Sequence, residues 1–179
     1  MKKIYFVRHG ESEANAAGVI AGSTNSPLTA KGVQQAHDEA SMIAESDLRF
    51  DVIISSPLSR AHDTAKIIAE AIGYPVEAIV LMDELQEKAA GAFEGGTIEA
   101  LYAASDDEMY RAGGEGFMDF AERVKRANTQ IDHYAQGVTL VVGHAGIYRM
   151  AQVVYQGLTP AHMVDMEKVP NGKLMDYPL

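Results

Sequence analysis

The chain has 179 residues, no cysteine and a formal net charge of −10 at pH 7. This length suffices for one domain with a real core, since a domain near this size buries roughly 70% of its unfolded surface. The lack of cysteine excludes disulfides, a thiolate nucleophile and cysteine-ligated metal. The acidic balance disfavours nucleic acid or an anionic membrane as a partner, and any site for an anion would need locally concentrated positive charge.

The first residues do not resemble a targeting or membrane-spanning segment. Lys2 and Lys3 precede an apolar run over 4–7, which is too short for a signal-peptide core and far too short to cross a bilayer. We therefore expect a soluble cytoplasmic protein.

Strand-like apolar runs alternate with helical periodicity along the chain, which is typical of a layered α/β domain. The first strand is predicted near 3–7, and a polar loop from Gly10 to Pro27 follows it. Thr29 is placed to cap a helix that ends near Ser46. A strand is predicted at 51–54, and a helix follows it with Ser56 as N-cap, Pro57 at its first position and Gly73 at its end. The later predicted elements are a strand at 76–81, helices at 98–104 and 117–135, a strand at 138–142, a helix at 145–156 and a weak strand at 172–177.

Two histidines follow predicted buried strands. His9 stands in Arg8-His9-Gly10, and His144 follows Gly143 at the end of the strand at 138–142. Open α/β sheets bind ligands at the edge where the carboxyl ends of their strands lie, which is where both histidines are predicted. A structural histidine is the alternative interpretation, but average residue usage gives Arg-His-Gly in only about one chain of this length in a hundred. The pair favours phosphoryl transfer through a phosphorylated imidazole.

Other residues can supply donors to the same anion. Arg60 is predicted in the first helical turn after the second strand, where a guanidinium and a helix N-terminus can share one anion. An exposed surface arginine is the alternative. Asn15 can donate its amide, although asparagine in a loop is often a turn former. The small residues Gly143, Ala145 and Gly146 leave backbone N–H groups open to an oxyanion.

Two further groups of residues suggest no chemistry. His37, His133 and His162 lack paired ligand spacing, so no metal site is predicted. Arg123 lies with other cations among acids on the long predicted helix, which favours a solvated face.

Four motifs, in order along the chain, resemble those of the histidine phosphatase superfamily, also called the phosphoglycerate mutase-like family. They are Arg8-His9-Gly10-Glu11 with Asn15, Ser55-Ser56-Pro57-Leu58-x-Arg60-Ala61-x-x-Thr64-Ala65, Leu85-x-Glu87-x-x-x-Gly91-x-x-Glu94-Gly95, and Val142-Gly143-His144. The resemblance extends to 26–32 and 113–115, and so covers almost the whole chain. It implies a three-layer α/β/α sandwich with a mostly parallel central sheet, as one domain over 1–179.

The resemblance also implies a metal-independent phosphomonoester hydrolase that needs no cofactor. It makes His9 the nucleophile, and Arg8, Arg60 and His144 the groups that hold and neutralise the phosphoryl oxygens. Asn15 would add a neutral donor. His9 must be neutral to attack, whereas His144 works best as a cation, so their environments should differ.

The resemblance selects the proton donor by position. The acid of the family lies four residues before the glycine of the third motif, which implies Glu87 rather than Asp83 or Glu84. Arg123 matches a family position that implies a brace in the core.

Departures from the family pattern favour a phosphatase over a cofactor-dependent phosphoglycerate mutase. Lys88-Ala89-Ala90 replaces the arginine and tyrosine that mutases carry there, and the lid insertion around 96–112 is short and acidic rather than long and basic. A mutase must keep water away from its phosphohistidine. The loop at 21–25 lacks the usual polar and aromatic side chains, which keeps open a non-catalytic phosphate- or protein-binding module. The expected substrate is a small phosphorylated metabolite, with a phosphorylated protein as the alternative.

Overall fold

A mixed five-stranded sheet forms the centre of the computed structural model, which describes residues 2–179. The strands are β1 Lys3–Arg8, β2 Val52–Ser55, β3 Val80–Leu81, β4 Val138–Gly143 and β5 Leu174–Asp176. The helices are α1 Glu13–Ala17, α2 Ala30–Glu45, α3 Ser59–Ile72, α4 Ile98–Ala103, α5 Asp106–Arg111, α6 Phe117–Tyr134 and α7 Ala145–Tyr155. The strands lie in the order β3-β2-β4-β1-β5, with β5 antiparallel to β1 and the other neighbours parallel.

Helices cover both faces of the sheet. On one face Phe6 and Val141 pack with apolar residues of α6 and α7. On the other face Val7 and Val142 pack with residues of α2 and α3. Successive residues of β1 and β4 thus point to opposite cores, as the two-residue period of a strand requires. The prediction of a three-layer α/β/α sandwich with a mostly parallel sheet is confirmed. Within the described part of the chain, no helix is both long and apolar enough to cross a membrane.

The parallel register of β1 and β4 places both strand-end histidines at one edge. Lys3 pairs with Val138 at one end of the ladder and Arg8 pairs with Gly143 at the other. The backbone N–H of His9 then donates to the Gly143 carbonyl at 3.0 Å. Because the two strands end together, His9 and His144 leave the sheet side by side.

The residues that cap each helix explain which helices begin where the sequence predicts and which do not. Thr29 caps α2 through the N–H of Gly32, as predicted. The prediction that Ser56 caps α3 is wrong, because α3 begins at Ser59 behind Leu58, which makes no side-chain cap. The predicted strand at 76–81 is shorter, since Val76–Ala78 form a 3₁₀ turn. The short helices α1 and α5 are absent from the prediction, and each begins with a capping box.

The loop after β1 packs directly on the first turn of α2. A Cβ at Gly10 would overlap the Gly32 carbonyl oxygen, and a Cβ at Gly32 would overlap the Glu11 carbonyl oxygen. Both obstacles are backbone, which cannot swing away as a flexible side chain can. The two glycines therefore set how closely the loop that carries the end of the Arg8-His9-Gly10 motif approaches the helix.

We expect Gly32→Ala to lower the free energy of unfolding by about 1–3 kcal/mol, the cost of overpacking a close contact. Alanine in a helix usually stabilises by up to about 1 kcal/mol relative to glycine, so the clash with Glu11 reverses the sign. Urea denaturation of both proteins measures the difference. Equal or greater stability of the variant would contradict the close packing.

Candidate active site

His9 presents one nitrogen ready to act as a nucleophile. Its side chain is almost fully buried, and Nδ1 lies 2.6 Å from the Gly10 carbonyl oxygen. A carbonyl only accepts, so Nδ1 carries the proton and Nε2 keeps its lone pair. Burial, followed by the charges of Arg8 and Arg60, holds the pKa of His9 well below 6.5. The ring is thus neutral, in the tautomer that leaves Nε2 free.

His144 lies beside it, with ring centroids 5.1 Å apart. Its side chain is fully buried, with Nε2 2.8 Å from the Ser56 hydroxyl and Nδ1 without a hydrogen-bond partner. Burial lowers the pKa of His144 well below 6.5, and the charges of Arg60 and Arg8 lower it further. The expected difference in charge between the two imidazoles is therefore not found. Ser56, which the sequence assigned to a helix cap, is instead the partner of this ring.

Two guanidinium groups reach the same edge, and both are held by main-chain carbonyls. Nη1 of Arg8 donates to the Val169 carbonyl at 2.6 Å, while its buried Nε has no partner. Arg60 is only 2% exposed and donates to the carbonyls of Thr24 and Gly22, each at 2.8 Å. The alternative of an exposed surface arginine is wrong for Arg60. Neutral carbonyl partners fix these groups without cancelling their positive charge.

The loop at 22–24 is held from its other side by Glu94. The Glu94 carboxylate accepts from the backbone N–H of Ser23 at 3.0 Å and from the hydroxyls of Ser23 and Thr24. A Cβ at Gly22 would overlap this carboxylate. Arg60 and Glu94 together therefore order a loop whose own side chains are small. The third motif contained Glu94, but nothing in its spacing revealed this contact.

A second asparagine, Asn171, links Asn15 to His9. The Asn15 Oδ1 accepts from the backbone N–H of Ser12 at 3.2 Å and from Asn171 Nδ2 at 3.4 Å. Asn171 Nδ2 also donates to the His9 carbonyl at 2.7 Å. With its oxygen engaged, Asn15 retains the NH₂ group as a donor. Sequence reasoning missed Asn171, which is 162 residues from His9 along the chain.

Glu87 closes the site at the start of α7. Its Oε2 accepts from the Gly146 N–H at 3.0 Å, and its Oε1 accepts from the Lys88 N–H at 2.9 Å. The expectation that Gly146 offers an open N–H to an oxyanion is therefore wrong, because Glu87 occupies it. Ala145 lies between His144 and Gly146 as the first residue of α7. A Cβ at Gly146 would overlap the carboxylate, so only glycine permits this contact.

The segment that carries Glu87 is braced from α6. Arg123 donates to the Glu115 carboxylate at 2.8 and 2.7 Å. Its Nη1 donates to the carbonyls of Glu84 and Gln86 at 2.6 and 2.8 Å. The prediction of a solvated face is wrong for Arg123, whose side chain is 15% exposed. It braces the loop that supports Glu87.

The assembled groups can bind a tetrahedral anion and attack it. Among residues 2–179, Arg8 Nε and His144 Nδ1 are buried polar atoms without a hydrogen-bond partner, and such atoms are rare unless a ligand or water satisfies them. Glu87 is close enough to Arg8 and Arg60 for its charge to raise their pKa values against the effect of burial. The arrangement brings an imidazole nitrogen with a free lone pair, two guanidinium groups and a carboxyl group to one edge of the sheet.

We expect Glu115→Gln to reduce the free energy of unfolding by about 2–3 kcal/mol, because Arg123 would keep a largely buried charge without its carboxylate partner. Glu122→Gln is the matched control, since the pair of Glu122 with Lys125 is more than half exposed. Its change should stay below about 1 kcal/mol. Chemical denaturation measures both, and equal losses would contradict the brace.

Protonation of the buried histidines should make stability depend on pH. His9 and His144 have folded pKa values well below 6.5, so the unfolded chain binds protons first as pH falls. The free energy of unfolding is thus highest above pH 6.5 and decreases below it, by up to about 1.4 kcal/mol per pH unit for each proton. Urea denaturation at several pH values measures the slope. His9→Gln should reduce it, whereas substitution of the exposed His133 should not.

Comparison with known proteins agrees with this geometry. A family model for the histidine phosphatase superfamily (branch 1) matches residues 4–176. The adenosylcobalamin/alpha-ribazole phosphatase of Salmonella typhimurium is 32% identical, over 81% of this chain and 75% of that protein. The probable phosphoglycerate mutase GpmB of Escherichia fergusonii is 36% identical, over 80% of this chain and 70% of that protein. The crystal structure of the alpha-ribazole phosphatase from Shigella flexneri has a TM-score of 0.77 and 28% identity, over 96% of this chain and 88% of that chain. The resemblance in the four motifs is confirmed: this chain belongs to the histidine phosphatase superfamily.

Proposed function

We propose that this chain hydrolyses phosphomonoesters through a phosphohistidine on His9, with Glu87 as the proton donor. The observation that carries the proposal is the pair of unpartnered buried donors, Arg8 Nε and His144 Nδ1, beside the free Nε2 of His9. A phosphoryl oxygen supplies the acceptor that each donor lacks. The charge of the transferring group is spread over its oxygens, so positioning and electrostatic stabilisation provide most of the catalysis.

In the first step, His9 Nε2 forms a bond to phosphorus and the bond to the leaving oxygen breaks. Arg8, Arg60 and His144 donate to the phosphoryl oxygens, and the Asn15 amide and the Ala145 N–H can donate to the same group. Glu87 transfers a proton to the leaving oxygen. In the second step water attacks phosphorus, Glu87 takes a proton from it, and phosphate leaves His9.

His144 acts in this scheme as a neutral donor. The Ser56 hydroxyl accepts from the Leu58 N–H at 3.3 Å, which leaves its own hydrogen to donate to His144 Nε2. The proton of the neutral ring is then on Nδ1, which faces no protein acceptor. The negative charge of the phosphoryl group would raise the pKa of His144, so that its interaction strengthens as substrate binds.

The lid also bears on the choice between hydrolysis and mutase activity. We propose that residues 96–112, which contain the short helices α4 and α5, form this lid within a single domain over 1–179. A short lid that carries Asp106, Asp107 and Glu108 is unsuited to gripping a bisphosphate or excluding water from a phosphohistidine. The relatives that are named as phosphatases act on small phosphorylated compounds, and we propose a small phosphorylated metabolite as the substrate here.

A phosphate-release screen over sugar phosphates, phosphoglycerates, nucleotides, alpha-ribazole phosphate and phosphopeptides tests the activity. His9→Ala should abolish release. Glu87→Gln should lower kcat by about 10²–10⁴-fold for alkyl phosphates but much less for p-nitrophenyl phosphate, whose leaving group needs little protonation. Equal losses on both classes would remove Glu87 from the acid role. No release above the level of His9→Ala would favour a binding module.

Mutase activity is the second candidate, because one relative at 36% identity is named as a probable phosphoglycerate mutase. Incubation with 3-phosphoglycerate and a bisphosphoglycerate primer separates the two activities. Fast isomerisation with little free phosphate would replace hydrolysis as the assigned reaction.

A further inference from the structure

A third guanidinium, that of Arg149, lies beside the phosphate site without an acidic partner. Arg149 is on α7, is half-buried, and donates through Nε to the Glu167 carbonyl at 3.1 Å and through Nη1 to the Tyr102 hydroxyl at 3.1 Å. Among residues 2–179, no carboxylate forms a salt bridge with it. Two of its five N–H groups are thus engaged, both by neutral oxygens, and its charge is not compensated.

The main chain fixes Arg149 next to Arg8. Arg8 donates to the Val169 carbonyl, and Arg149 donates to the Glu167 carbonyl, two residues earlier in the same segment. Two residues of chain span at most about 7 Å, so the carbonyl groups that hold the two guanidinium groups are close neighbours. Burial is the main cause that lowers the pKa of Arg8, and the charge of Glu87 opposes it. The nearby charge of Arg149 lowers this pKa further.

Tyr102 adds a second donor and borders a cavity. Its hydroxyl accepts from Arg149 and so keeps its own hydrogen to donate, while burial raises its pKa and keeps it protonated. Tyr102 and Phe117, with ring centroids 6.0 Å apart, line a cavity of about 510 Å³. The Lys88 ammonium lies 4.4 Å from the centre of the Phe117 ring, one residue after Glu87 in sequence. One wall of the cavity is thus formed by Tyr102, which contacts Arg149, and by Phe117, which packs on the residue that follows Glu87.

We propose that Arg149 and Tyr102 bind a carboxylate on the leaving-group side of the substrate, so that the chain prefers small phosphorylated carboxylic acids. This inference rests on the proposed phosphatase function and deepens it. Arg8 and Arg60 already supply two guanidinium groups for the phosphoryl group, whereas the third, Arg149, matches a second anion on the same small molecule. The forked N–H groups of Arg149 and the Tyr102 hydroxyl fit the two oxygens of a carboxylate.

Two matched substrate pairs test the preference. 3-Phosphoglycerate is compared with glycerol 3-phosphate, and phosphoserine with phosphoethanolamine; in each pair only the first member carries a carboxylate. We expect the wild type to favour the carboxylate member by about 10- to 100-fold in kcat/KM, the factor typical of a hydrogen bond between charged groups. Arg149→Gln should bring each ratio close to one while changing kcat/KM for the member that lacks the carboxylate by less than about threefold.

Further variants separate binding from a structural role. Tyr102→Phe keeps the ring and the cavity wall, and should lower the ratio by roughly three- to tenfold, as expected for one hydroxyl donor. Arg126→Gln makes the same substitution at an exposed arginine of α6 and should leave both ratios unchanged. An arginine that only fixes the segment at 167–169 would, when replaced, reduce the turnover of both members equally.

The outcomes distinguish this inference from the proposed function. A wild-type ratio near one, or equal losses on both members in Arg149→Gln, overturns the carboxylate site and leaves the phosphatase intact. If neither pair nor p-nitrophenyl phosphate releases phosphate above the level of His9→Ala, the phosphatase function fails and the carboxylate site fails with it.

Discussion

The parallel register between β1 and β4 is the constraint on which the site depends. The hydrogen bond from the His9 N–H to the Gly143 carbonyl ends the ladder and leaves one histidine on each strand at the same height. A register shifted by one residue would exchange the two faces of a strand, and so would bury the wrong side chains in both cores. The packing of Phe6 and Val7 on opposite sides of the sheet therefore also fixes the distance between the two imidazoles.

The arginines near the phosphate site keep their positive charge available because their hydrogen-bond partners are neutral. Arg8, Arg60 and Arg149 are held by backbone carbonyls, which orient a guanidinium but do not neutralise it. Arg123 instead meets the Glu115 carboxylate, and its role is to brace. A chain with a net charge of −10 can thus offer a local field that attracts a phosphate. Whether an arginine contacts carbonyls or a carboxylate depends on its three-dimensional neighbours, which the spacing of residues along the sequence does not reveal.

Local signals predicted most of the fold, and distant contacts explain what they missed. Strand-end position identified His9 and His144, and capping chemistry placed the start of α2, because these features depend on neighbours in sequence. Ser56 and Asn171 were missed, since each acquires its role from a residue far along the chain, His144 and His9 respectively. The same limit applies to Arg149, whose position five residues after His144 says nothing about the carbonyl that holds it.

The segment between α7 and β5 makes the site depend on the edge strand β5. Its carbonyls at Glu167 and Val169 accept from two arginines, and Asn171 donates to the carbonyl of His9. These contacts join residues as many as 162 positions apart, so their loop-closure entropy is repaid only when the edge strand docks. Fraying of β5, an edge strand of three residues, would therefore release these contacts while the pairing of β1 with β4 persists. The arrangement of the site thus depends on an edge strand that contributes no side chain to the chemistry.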